Sequence, residues 1–247
     1  MLKSALIKGF RGFATEQHLI LAQPDGSSPG SGLTVIVGPN SGGKSTIVEA
    51  FRKLATRATT SFTEGKRNKS ADDKVEIKVI FSSGESTSLR TVEAGGSETE
   101  WKSSGENLTY PKVYFLPSRR VFNPYFSKGE INRESYIQNT ADFNFRGQAI
   151  DLFPRRLFFN ALTKKEEFNK LFWRVLGYEI NWTIDQNDSG QYYIKVSKPK
   201  DVFHSSDGLG EGIVSLMFMI DALFESTEDE VIVFDEPELS LHPQLQR

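Results

Sequence analysis

Two stretches of this sequence combine residue types suited to handling phosphate. From Gly38 to Thr46 the chain reads GPNSGGKST. This satisfies G-x-x-x-x-G-K-[ST] with Gly38, Pro39, Asn40, Ser41, Gly42, Gly43, Lys44 and Ser45. A turn alone needs one or two of those glycines. Small residues in succession let backbone N–H groups converge on one concavity that binds phosphate oxygens. Lys44 would neutralise the β- and γ-phosphates of a nucleotide, and the Ser45 hydroxyl would bind Mg²⁺. The second stretch is VIVFDE, Val231 to Glu236. Four apolar residues there read as a buried strand, and ligands bind at the carboxyl ends of strands in open parallel sheets. Asp235 at that end would hold Mg²⁺ through water. Glu236 beside it is suited to polarising an attacking water. A phosphotransferase with a bound acceptor would not need that second acid.

Between these stretches, HSSDGLGEGIVSL places Gly208, Gly210 and Gly212 two apart before an apolar helix. Glycines before a helix make a second anion nest. One nucleotide does not need two cradles from one chain. Two chains in head-to-tail contact do, each offering this loop to the other's γ-phosphate. A flexible loop with a helix cap is the alternative reading.

The elements that must position these residues follow from periodicity. Leu2 to Gly9 and His18 to Leu21 read as short strands, followed by a Gly-, Pro- and Ser-rich loop from Ala22 to Gly32. Leu33 to Val37, LTVIV, reads as a strand buried on both faces. Ile47, Val48, Phe51 and Leu54 lie at helical spacing just after the cradle. The polar stretch TTSFTEGKRNKSADD then reads as mobile. KVEIKVIF, Leu89 to Val92 and the residues around Trp101 predict an antiparallel β region over about 70–110, and KVYFL, Lys112 to Leu116, a further strand. A helical insertion is expected over about 140–177. A hairpin turns at NDSG, and a helix runs from Glu211 to Phe224. The whole reads as one α/β domain over 1–247.

Composition narrows the class. The 247 residues carry a net charge of −2, so any nucleic-acid contact needs a local basic patch. With no cysteine, disulfides and thiolate metal sites are excluded. Lys3, Lys8 and Arg11 interrupt any signal-peptide core, and IVSLMFMIDALF is too short to span a bilayer, so a cytoplasmic protein away from membranes is expected. In Phe145 to Leu176 the basic residues Arg146, Arg155, Arg156, Lys164, Lys165, Lys170 and Arg174 outnumber three acids by four. With the phenylalanines, this suits sequence-independent contact with nucleic acid, and equally a solvated face over an aromatic core.

KGFRGF, GPNSGGKST, SSDGLGEG and DEPELSLHPQLQ, in this order from Ile7 to Gln246, together resemble the ABC-type ATPases of the SMC, RecF and OLD (overcoming lysogenization defect) group. The last motif is closest to the OLD-like members. The resemblance implies that ATP and Mg²⁺ are bound, with Gly38 to Thr46 as the Walker A loop and Asp235 and Glu236 as Walker B. Arg11 would lie near the phosphates. Ser206, Gly208 and Gly210 would form the signature loop acting in trans, although the loop departs from the LSGGQ pattern of transporters. It also implies a homodimer and a nuclease or other effector partner, in genome maintenance or defence against mobile DNA. His242 lies too close to the D-loop to be the switch histidine, which would come after Arg247, leaving the domain incomplete at its C-terminal end. Arg119 and Arg120, ending YFLPSRR, are placed either to sense phosphate or to form a surface salt bridge. A P-loop kinase and a transporter ATPase subunit are the competing classes. Glu236 and the second glycine loop weigh against the first, and KGFRGF and the insertion against the second.

Overall fold

The structure is a computed structural model. It describes residues 1–56, 59, 61–63, 66–71, 74–118, 123, 125–141, 152–197, 203–205, 211–239 and 241. The chain divides into two compact units, Met1–Phe115 with Thr227–Val233, and Leu116–Ser226 with Phe234–Arg247.

The first unit is built on an antiparallel sheet. Its strands are β1 (Leu2–Lys8), β2 (Gln17–Ile20), β3 (Glu76–Phe81), β4 (Ser86–Thr91) and β5 (Thr99–Ser103), in the order β2-β1-β3-β4-β5. The alternation in KVEIKVIF sets the register of β3: Ile77 and Val79 point inward, and Ile77 pairs with Ile7 on one side and Leu89 on the other. The helix after the glycine loop, α1 (Lys44–Ala55), belongs to the same core, to which it gives Ala50, Phe51 and Leu54.

β6 (Lys112–Leu116) pairs with β10 (Glu230–Phe234). Lys112 meets Asp229 at one end, at 2.7 Å. At the other end the Asp235 N–H donates to the Leu116 carbonyl, at 3.0 Å. The two strands therefore run in the same direction, which sets Asp235 at the carboxyl end of a parallel pair. β10 is half-buried along its length rather than enclosed, with Val231 and Val233 packed on the core.

The second unit holds α2 (Arg133–Ala141), α3 (Phe153–Thr163), α4 (Lys165–Leu176), α5 (Glu211–Leu223) and a sheet of β7 (Asn181–Gln186), β8 (Tyr192–Ser197) and β9 (Phe203–Ser205). Pro154 stands in the first turn of α3, where its missing N–H costs no helical bond. Gly177, at φ 78°, ends α4 in the left-handed region. Phe153 stacks on Phe218 at 3.6 Å between ring centres, while Phe168 lies edge-on to Trp182 and Phe224.

Three expectations are corrected. Leu33–Val37 is not a buried strand: Leu33, Val35 and Val37 are 68%, 69% and 88% exposed, and the segment joins no sheet. An apolar run becomes a buried strand only when neighbouring strands take its backbone hydrogen bonds, and among the described residues no strand pairs with it; the Leu33 N–H instead donates to the Gly30 carbonyl of the preceding loop. The polar stretch after α1, read as mobile, is anchored in its described residues, because Phe62 is buried against Phe10. Arg156, counted as a contact for nucleic acid, is fully buried and bonds Asp221 at 3.1 Å and Glu225 at 2.5 Å. Asp221 lies on the apolar helix α5 and needs a cation and a donor there, which Arg156 and Asn160 supply. Lys164 bonds Glu225 as well, and Lys165 lies over the Trp182 ring. Arg155, Lys170 and Arg174 remain exposed. Arg146 lies outside the described residues.

Candidate functional site

The glycine loop turns into α1 through Gly43, at φ 89°. Ser41 also has positive φ, 63°. The Gly42 N–H donates to the Pro39 carbonyl, and a Cβ at Gly42 would sit 3.0 Å from that oxygen. The left-handed backbone at Gly43 favours glycine, and the close approach at Gly42 leaves little room for a Cβ. Lys44 folds over the same loop. Its ammonium donates to the carbonyls of Gly38 at 2.5 Å and Pro39 at 2.8 Å. Asn40 and Ser45 are exposed. Thr46 is buried, and its hydroxyl accepts the Gly12 N–H at 3.3 Å.

That last bond brings KGFRGF onto the loop. The Phe13 ring covers Gly43, where a Cβ would lie 2.6 Å from a ring carbon. Arg11 has positive φ, 49°, and its guanidinium approaches Glu49 of α1 at 3.9 Å. Within this unit the structure therefore brings together Arg11, Gly43, Lys44 and Thr46. Reading the sequence missed Gly12 and Phe13 as parts of the site; the aromatic-glycine alternation of KGFRGF was the available signal.

Asp235 and Glu236 follow β10 and belong to the second unit. Glu236 has φ 47° and opens a turn in which its carbonyl accepts the Leu239 N–H. Among the described residues four non-glycines have positive φ: Arg11, Ser41, Glu225 and Glu236. Three of them are site residues named from sequence. Backbone strain of about 1–3 kcal/mol per residue concentrates where geometry is held for function. Ser206, Gly208 and Gly210 lie outside the described residues, as do Arg119, Arg120 and His242.

The fold and the loop define an α/β P-loop ATPase domain with an antiparallel sheet. The family profile of the AAA domain described as putative AbiEii toxin, Type IV TA system, matches residues 33–247, and the chain belongs to that family. The structure is similar to the SMC head domain from Thermotoga maritima, with TM-score 0.52 and 14% identity over 99% of this chain and 80% of that one. It is also similar to an SMC head bound to the C-winged helix domain of ScpA, with TM-score 0.59 and 14% identity over 99% and 82%. At such identity the likeness is one of fold. No curated protein matches the chain.

Proposed function

We propose that this protein binds and hydrolyses ATP as a head-to-tail dimer in which two nucleotides are sandwiched, and that the cycle controls an effector. The observation that carries this reading is the Lys44 ammonium held over a glycine loop that leads through left-handed Gly43 into α1. The residues fit the group: Gly43 is left-handed, Gly42 packs closely on the Pro39 carbonyl, and the Lys44 ammonium lies on the carbonyls of the loop itself. Gly38, Asn40, Ser41, Gly42, Gly43 and Lys44 take the phosphates, and Arg11 adds a second cation. Thr46 serves as the anchor that ties Gly12 to α1. Ser45 and Asp235 would hold Mg²⁺, which when bound neutralises phosphate charge. Glu236 orients a water for attack and takes its proton. Ser206, Gly208 and Gly210 complete the partner's site.

The family description and the ScpA-bound SMC head favour a protein partner over DNA alone. The burial of Arg156 points the same way, because it thins the basic patch. An OLD-like role in defence against mobile DNA or in repair is the working context.

Nucleotide binding and turnover, measured separately, test the assignment. Lys44→Ala should abolish ATP binding. Glu236→Gln should keep binding and lose turnover. Equal loss of affinity in both variants would overturn the division of roles.

A further inference from the structure

We propose that Asn68 is a positioning residue for ATP hydrolysis, acting through Arg11. This rests on the reading of Arg11 as a phosphate contact. Arg11 is not a glycine, yet it holds φ 49°. A side chain in the left-handed region needs surrounding bonds to keep it there. The structure supplies them from one short segment, 66–71. The Arg11 N–H donates to the Lys66 carbonyl at 2.7 Å. The Asn68 N–H donates to the Gly9 carbonyl at 2.8 Å. Asn68 Nδ2 donates to the Arg11 carbonyl at 2.7 Å. Asn68 thus holds the turn on both sides of Arg11.

Asn68 is itself fixed. Its Oδ1 accepts the Ser70 N–H at 2.9 Å, closing a local turn. Its two side-chain bonds therefore have different jobs: Oδ1 shapes its own loop, and Nδ2 shapes the arginine turn. On the far side, Gly12 is tied to Thr46 and Phe13 packs on Gly43. The arginine turn is clamped between segment 66–71 and the first turn of α1. The strained φ directs the guanidinium along α1, where Glu49 holds it at 3.9 Å, a separation loose enough to yield to a phosphate. Without the Nδ2 bond the turn relaxes toward negative φ and the side chain leaves that line.

The test separates the two bonds. Asn68→Asp keeps an acceptor for Ser70 and removes the donor to Arg11. ATPase kinetics of the full chain should show kcat lowered about tenfold by Asn68→Asp and by Arg11→Ala, with KM moving less than about twofold. The double variant should be no slower than Arg11→Ala alone, because both changes remove one contribution. Asn68→Ala should behave like Asn68→Asp in kcat and melt lower, having lost both bonds. Full activity in Arg11→Ala would overturn the phosphate reading of Arg11 and this proposal with it. A slow Arg11→Ala beside an Asn68→Asp of wild-type kcat would overturn the role of Asn68 alone. So would losses that multiply in the double variant.

Discussion

Gly43 and Phe13 meet with no room for a side chain between them. Alanine at 43 would carry its Cβ to 2.6 Å from the Phe13 ring while holding φ 89°. Gly43→Ala should therefore lower stability by about 1–3 kcal/mol from the backbone term alone and weaken nucleotide binding, read by thermal melting and by titration. Adding Phe13→Ala removes the clash but not the strained φ, so recovery of stability should be partial. Full recovery would mean that the ring contact, and not the backbone, sets the need for glycine. At this scale the glycine loop and the acid pair were legible because each is local in sequence. Asn68 was not. It sits in a polar stretch with no periodicity, and its bond to Arg11 spans 57 positions.

Arg156 shows what the element scale adds to a charge count. On α3 it stands three residues after Phe153 and four before Asn160, all three buried. Helical spacing thus placed it on the apolar face, a signal that counting basic residues ignored. It bonds Asp221 on α5, whose carboxyl burial pushes up while Arg156 and Asn160 pull it down. Arg133 adds three bonds, to the carbonyls of Asp221 and Ala222 in the last turn of α5 and of Phe224 just after it. Arg156→Ala should cost about 3–5 kcal/mol by leaving Asp221 buried without its partner, while exposed Arg155→Ala should be near neutral in denaturant midpoint. Equal midpoints for the two would remove the case for a structural ion pair. LTVIV illustrates the opposite difficulty. Its composition states that it can be a strand, but not whether a neighbour is there to pair with it. α2 and β9 were missed because Arg133–Ala141 has almost no apolar stripe and Phe203–Ser205 is three residues long.

The parallel pair β6–β10 carries a pH dependence of known sign. The bond from Lys112, helped by Thr227, holds the Asp229 carboxyl down at about 2. A depressed folded value gives stability that is present above the ordinary 3.8 and lost as pH falls through about 2. Both side chains are about half exposed, so the effect should stay below about 1 kcal/mol. Urea midpoints measured from about pH 5 down to about pH 2 should fall less in Lys112→Met than in the wild type. Identical slopes would show that the pair contributes nothing.

For the whole molecule, the sandwich proposal requires that association follow nucleotide state. Sedimentation of Glu236→Gln should show a heavier species with ATP than without, and Gly208→Trp should abolish the difference. The same mass in every condition would count against the sandwich. The exposed run at Leu33–Val37 has a consequence for handling the protein. It is β-prone, carries no charge and no proline, and presents Leu33, Val35 and Val37 to water. Such a segment templates cross-strand pairing between molecules. Concentrated preparations should therefore self-associate independently of ATP, through a route that shields this run, and Val37→Lys should act as a gatekeeper that slows the rise in light scattering.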